Sequence, residues 1–369
     1  MNNLSTAGFK QLLDLVCLIQ QIPSPTFAEQ EKAAFVVDQF QRDGLADVHV
    51  DSTGNALGRL AGGPGRPVVI SAHMDTVHPV TIKLSQKSDA GRVFGPAIGD
   101  NSLGVAALIM IPTLLREQSF TPPGDIWLAA NTCEEGLGDL RGMRAVVDQF
   151  GATPRAYLVL EGMGLGQIYH RGLGVERYRI TARTRGGHSW VDYGKPSAVH
   201  HLAAVVAHIV SLTLPRSPRT TLNVGTIQGG TSINTIAAEA HMDLDLRSEE
   251  QHTLQAAVTA VRKIVNDSAR DGVSFEMEPI GLRPSGSIPR NHPLVQLAER
   301  CLQDVGVAPR PEIASTDANI PLSRGLPAVC VGLTMGGGAH TTAEYIELEP
   351  LRLGIAQLLR LVTGVWDAV

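Results

Sequence analysis

The sequence has no excess of positive charge: 31 Lys and Arg stand against 36 Asp and Glu, a formal net charge of -5 at pH 7. No basic field is therefore available to attract nucleic acid. Cysteine is sparse, and Cys17, Cys133, Cys301 and Cys330 are scattered without a CxxC pair. That excludes a zinc ribbon and a disulfide framework, and it suits a reducing cytosol. The opening MNNLSTAGFKQLLDLV lacks the basic region and apolar core of a signal peptide. The longest apolar run, GVAALIMIPTLL, is too short to span a bilayer and contains Pro112. Repeats and low-complexity tracts are also missing. What remains is a chain of 369 residues, 43% hydrophobic and 18% charged. That composition is normal for a globular protein, and the length suggests two domains.

The first segments read as helices. Apolar residues recur at helical spacing in FKQLLDLVCLIQQI, which PSP stops, and a second helix covers EQEKAAFVVDQFQRDG. Short apolar runs follow: PVVISA, IWLAAN, AYLVL and, far downstream, PAVCVGL. They alternate with helical patterns, which predicts a mostly parallel sheet flanked by helices in an α/β domain. From Val175 the texture changes. ERYRITART alternates, KPSAVHHLAAVVAHIVSLTL is helical, TLNVGTIQGG and EAHMDLDLRS are strands, HTLQAAVTAVRKIVNDSAR is a helix and VSFEMEPIG a strand. The order β-α-β-β-α-β predicts a smaller α+β insert of split βαβ, ferredoxin-like type. The expected division is 1–174 and 287–369 for a catalytic domain and 175–286 for the insert.

Open parallel sheets bind ligands beyond the carboxyl ends of their strands. In this chain polar residues cluster there. His73 and Asp75 follow PVVISA, Glu134 and Glu135 follow IWLAANTC, Glu161 follows YLVL, and His340 follows AVCVGL and a glycine-rich loop. Asp100 precedes an apolar helix in GPAIGDNSLG. Each has an ordinary alternative. Asp100 could cap the helix, with Ser102 competing. The glutamate pair could be a solvated loop, and the histidines could be structural. Coincidence argues otherwise, because acids crowded on one sheet edge repel one another unless cations neutralise them. Two histidines and several carboxylates without cysteine suit zinc, cobalt or manganese. The count fits two ions about 3.5–4 Å apart bridged by one carboxylate. Residues i and i+2 of an extended segment share a side, so His73 reads as a ligand and Asp75 as the carboxylate that orients its ring. Of Glu134 and Glu135, one would bind metal and the other act as general base.

These motifs resemble the co-catalytic two-zinc exopeptidases and deacylases, among them peptidase T, glutamate carboxypeptidase, aminoacylase and acetylornithine deacetylase. The resemblance spans nearly the whole chain through SAHMDTV, GPAIGDNSLGVAALI, TCEEGLGDLRGM, LEGMG, TRGGHS, STDANIPLSRGLPAVCVGL and AHTTAEYIEL. The last two look most like the peptidase T branch. It implies His73, Asp100, Glu135, Glu161 and His340 as metal ligands with Asp100 bridging, Glu134 as base and Asp75 as partner of His73. The insert resembles that family's lid, which in many members also makes a homodimer. There His188 would donate to the oxyanion across the dimer, while Arg247 and Asn234 would contact substrate. Asp317 and Glu344 would shape loops near the substrate and His340. The expectation is a cytoplasmic amide hydrolase using two divalent ions, most simply zinc. It would act on di- or tripeptides or on N-acyl amino acids, without nucleic acid or membrane partners. A non-catalytic binding protein on the same fold should have lost a ligand or the base, and all seven positions are present here.

Overall fold

The apolar runs that end in polar residues become neighbouring strands in the computed structural model, which describes residues 5–369. Contacts divide the chain into two units. One comprises residues up to 172 together with 287–369, and the other is 173–286.

The first unit is built on one large sheet. Its strands are β1 (Ala46–Val50), β2 (Ala56–Leu60), β3 (Gly65–His73), β4 (Gly124–Asn131), β5 (Tyr157–Met163) and β6 (Gln167–Gly172), with β11 (Arg310–Ala314) and β12 (Ala328–Thr334) from the C-terminal part. Their order is β1-β2-β4-β3-β5-β12-β6, and β11 pairs with β6. At the centre, β3 runs parallel to β4 and β5, and β12 runs parallel to β5. Register aligns the strand ends: His73 lies opposite Asn131, and Glu161 opposite Gly332. Strands covered on both faces must be apolar throughout, and β12 is buried at all seven residues.

Helices cover the sheet: α1 (Thr6–Gln20), α2 (Gln30–Arg42), α3 (Leu103–Glu117), α4 (Arg141–Phe150), α7 (Pro293–Asp304) and α8 (Leu348–Ala368). Every residue of α3 is buried except Thr113, Arg116 and Glu117. The helical stretch Ile98–Glu117 is long and apolar enough to cross a membrane, but 89% of that window is buried inside the fold. Burial of each large aliphatic side chain is worth about 1.5–3 kcal/mol, so this helix is a core element. A four-stranded sheet of very short strands (Lys87–Asp89, Arg92–Phe94, Gly336–Gly337, Tyr345–Glu347) anchors the loop that carries His340.

The second unit has the order β7 (Gly174–Thr184), α5 (Ala198–Val210), β8 (Thr220–Gly229), β9 (Glu239–Ser248), α6 (Gln251–Ser268) and β10 (Val273–Arg283). Its antiparallel sheet runs β8-β9-β7-β10. Alternation sorts the faces: Ala240, Met242, Leu244 and Leu246 are buried in one cluster with residues of α5 and α6. On β7, Arg177, Arg179 and Arg183 pair with Asp245, Asp243 and Glu239 opposite them on β9.

Candidate metal centre

Parallel strands converge the donors at one edge. His73 is the last residue of β3, Glu161 lies within β5, Glu134 and Glu135 follow β4, and His340 follows β12. Asp100 lies in an irregular turn before α3, with φ -113° and ψ 85°. One Asp100 oxygen, Oδ1, is 3.2 Å from His73 Nε2, and the other, Oδ2, is 3.1 Å from His340 Nε2. Glu161 Oε2 stands 3.7 Å from His73 Nε2, and Glu135 Oε1 stands 3.1 Å from His340 Nε2. Two donor sets result, His73–Asp100–Glu161 and Asp100–Glu135–His340, each with its atoms within 4.8 Å of one another. All donors are imidazole nitrogen or carboxylate oxygen, and Asp100 belongs to both sets. The arrangement fits two divalent cations sharing one carboxylate.

Asp75 turns the opening HMD motif into a brace. Its carboxylate Oδ1 is 3.5 Å from His73 Nδ1, and its carbonyl oxygen is 3.1 Å from the same nitrogen. Oδ1 also accepts the Glu134 N–H and Oδ2 the Glu135 N–H, each at 2.9 Å. Thr26 Oγ1 donates to Oδ2 at 2.9 Å. One buried carboxylate thus orients a ligand ring and the turn that carries both glutamates. Both glutamates of that turn are themselves buried.

Asp100 is aimed by two residues. Glu344 Oε1 accepts the N–H groups of Gly99 (2.7 Å) and Asp100 (2.8 Å). Glu344 therefore holds Asp100, whereas sequence reasoning placed it near His340. Asn101 was not anticipated. Its Nδ2 donates to the Leu160 carbonyl (2.8 Å), and its Oδ1 accepts from Gly104 N (3.0 Å) and Gly162 N (2.9 Å). The Gly104 bond caps α3, so neither Asp100 nor Ser102 takes the capping role weighed for them; Ser102 makes no cap bond. Glycine is required here, because a Cβ on Gly104 would lie 2.0 Å from Asn101 Oδ1 and one on Gly162 2.1 Å from the Gly99 carbonyl. The Asn101–Gly104 spacing carries a signal, since a capping Asn accepts the N–H three residues on.

Electrostatics report the same crowding. Burial opposes charge on His73, yet Asp100, Asp75 and Glu161 outweigh it and push the imidazole well above its usual value. Asp100 and Glu135 raise His340 to about 10, against some burial. Desolvation opposes charge on Asp100 too, but His340 and His73 hold it well below the usual carboxylate range. Burial raises Glu161, and Asp100 and Glu135 add to that against the pull of His73. The imidazoles gain protons because the acids around them demand positive charge. Divalent ions supply it more fully.

Asp317 is fully buried and accepts Asn131 Nδ2 at 2.7 Å, and the Asn131 carbonyl accepts the Met74 N–H at 2.7 Å. Asp317 thus acts on the HMD strand end through β4. Lys32 on α2, also unanticipated, is buried and donates to the Met74 carbonyl at 3.0 Å.

In the second unit, His188 is exposed, and its Nδ1 accepts the N–H groups of Trp190 (3.2 Å) and Val191 (3.4 Å). Its strand pairs with Thr235, beside Asn234, whose carbonyl accepts the Ser189 N–H at 3.0 Å. Arg247 is bound to Asp245 through Nε (2.7 Å) and Nη2 (3.3 Å), so its guanidinium already holds a carboxylate.

Such a donor arrangement at the carboxyl edge of a parallel sheet is that of a protein able to hold two divalent metal ions. The chain belongs to peptidase family M20/M25/M40, which it matches over residues 69–364. The members are peptidases or amidohydrolases that depend on two metal ions. Over 363 residues the chain is 25% identical to the succinyl-diaminopimelate desuccinylase of Corynebacterium glutamicum, covering 95% of this chain and 96% of that protein. In fold it resembles the aminopeptidase PepT of Bacillus cereus (TM-score 0.80, 22% identity, 97% and 99% of the two chains). It also resembles a tripeptidase of Staphylococcus aureus (TM-score 0.83, 21% identity, 97% and 99%).

Proposed function

We propose that this protein is an exopeptidase that hydrolyses an amide bond of di- or tripeptides, with His73, Asp100 and Glu161 holding one ion and Asp100, Glu135 and His340 the other. The observation that carries this reading is the division of the Asp100 carboxylate between the two histidines, at 3.2 and 3.1 Å. Zinc suits the donor set best, with cobalt and manganese as alternatives. The chemistry supplied by two such ions, when bound, is acidification of a water and polarisation of the scissile carbonyl. Glu134 takes the proton of the attacking water and delivers it to the leaving amine. Asp75 keeps the His73 ring in its ligating tautomer. His188 serves as oxyanion donor: with Nδ1 committed as acceptor of two N–H groups, its remaining proton sits on Nε2. Asn234 and Arg247 contact the substrate, and Arg247 does so in competition with Asp245.

The second unit acts as a lid and joins two copies in this reading. Strand β8 is an edge strand, and with α5 it borders a groove of about 700 Å³ lined by Val206, Val210, Leu214 and Leu222. An exposed edge beside an apolar face suits pairing with its own copy. Four unpaired cysteines accord with a cytoplasmic setting.

A second reading, deacylation of an N-acyl amino acid, is favoured by the end-to-end similarity to a desuccinylase. One experiment separates the readings: metal analysis of the purified protein, then turnover of dipeptides, tripeptides and N-acyl amino acids side by side. The proposal expects two ions per chain and peptides as the faster substrates. Preference for N-succinyl or N-acetyl amino acids would install the second reading. Glu134→Gln is expected to abolish turnover while metal content stays at two, and wild-type rates in that variant would remove Glu134 from the mechanism.

A further inference from the structure

The N–H groups of the turn that carries Glu134 and Glu135 are held by side chains from other elements. Four successive N–H groups are each accepted by a side chain: Thr132 by Asn55 Oδ1 (3.0 Å), Cys133 by Glu29 Oε1 (3.0 Å), and Glu134 and Glu135 by the two oxygens of Asp75 (2.9 Å each). Cys133 sits at φ 59°, in the left-handed region. A non-glycine residue there is strained and persists only where its surroundings over-determine it. Glu29 is such a surrounding. It is 3% exposed, and as the residue before α2 it makes no side-chain bond to its own helix. Its Oε1 instead reaches 104 residues along the chain to Cys133, and accepts the Phe27 N–H as well. One turn later the buried Lys32 ammonium stands near both Glu29 and Asp75 and balances their charge.

We propose that Glu29 is a positioning residue of the hydrolytic reaction. By fixing the left-handed Cys133 it makes the next two side chains diverge, so that Glu135 faces the ion it shares with His340 while Glu134 is left for proton transfer. This rests on the roles given to Glu134 and Glu135 above. Nothing in the local sequence flags Glu29, because the residue it acts on lies on another element.

The test uses the full chain. Glu29→Ala removes the acceptor, Glu29→Gln keeps one of the same reach, and Glu29→Asp keeps the charge but withdraws it by one methylene. Three readouts apply: kcat and KM on Leu-Gly-Gly, the visible spectrum of the cobalt(II)-loaded protein, and amide hydrogen exchange at residues 133–135 of the metal-free protein. Glu29→Ala and Glu29→Asp are expected to lower kcat about 10- to 100-fold with KM within about threefold. Both should alter the cobalt bands and speed exchange at 133–135, while Glu29→Gln recovers most of the loss. Wild-type cobalt bands and exchange in Glu29→Ala, or a Glu29→Gln variant no better than Glu29→Ala, would overturn the proposal. If Glu29→Ala does not fold, the Glu29→Asp and Glu29→Gln pair decides it. A wild-type chain that binds fewer than two cobalt ions would instead overturn the underlying site reading.

Discussion

Replacing Asn101 by alanine is expected to destabilise the first unit far more than an ordinary polar-to-alanine change. The side chain is 2% exposed and makes three bonds, to Leu160 O, Gly104 N and Gly162 N. Truncation leaves three buried backbone groups without partners, at about 1–3 kcal/mol each. Taking the lower half of that range, the sum is about 3–6 kcal/mol, a large part of the roughly 5–15 kcal/mol that holds a folded protein together. For a unit of this size about 2–4 °C of melting temperature goes with each kcal/mol, so a fall of about 6–24 °C follows. Calorimetry of the metal-free protein measures it. Asn101→Asp keeps both acceptor bonds and loses only the donor to Leu160, so it should melt between wild type and Asn101→Ala. The same turn carries Asp100, and both donor sets should therefore lose affinity together. A melting temperature within about 2 °C of wild type would refute the reasoning, because three orphaned groups cannot be that cheap.

Asp100→Ala should lower occupancy of both metal sites, whereas Glu161→Ala should spare the His340 set and Glu135→Ala the His73 set. Metal analysis after dialysis reads this, and equal stoichiometry in all three variants would contradict a shared carboxylate. Stability should depend on pH differently with and without metal. His340 is raised to about 10 in the metal-free fold from about 6.5 in an unfolded chain. Its contribution is therefore fully present below about pH 6.5 and is lost as pH climbs towards 10. The chelated protein should lose melting temperature across that window and the loaded protein should not; parallel curves would remove the charge argument. His188→Ala should lower the rate without unfolding the protein, and mixing it with inactive Glu134→Gln should restore part of the activity if the histidine serves the other copy of a dimer. No recovery would confine it to its own chain.

Much of the architecture is legible in the sequence because burial on both faces forces uninterrupted apolar runs. PVVISA, IWLAAN, AYLVL and PAVCVGL all become parallel central strands for that reason. The β-α-β-β-α-β order likewise follows from a clean alternation of periods. Donors at strand ends are visible because few other pressures place His, Asp and Glu after a buried run. The supports are not visible. Asn101, Glu29, Lys32 and Asn131 each bond to backbone groups far away in sequence, and backbone groups leave no trace in residue type. Glu344 is a near neighbour of His340 in the chain, yet its oxygen reaches Gly99 and Asp100, 245 and 244 residues away. The two- and three-residue strands that anchor the His340 loop are too short to show any period.

The carboxylate common to both donor sets has a consequence for assembly. Its first partners, His73 and Glu161, precede the inserted unit, while His340 comes after it. The first donor set is therefore complete in sequence before the inserted unit, whereas the second cannot close until the chain has passed through that unit and laid Tyr345–Glu347 beside Arg92–Phe94. A chain interrupted within the inserted unit would hold the residues of the first set and lack His340 of the second.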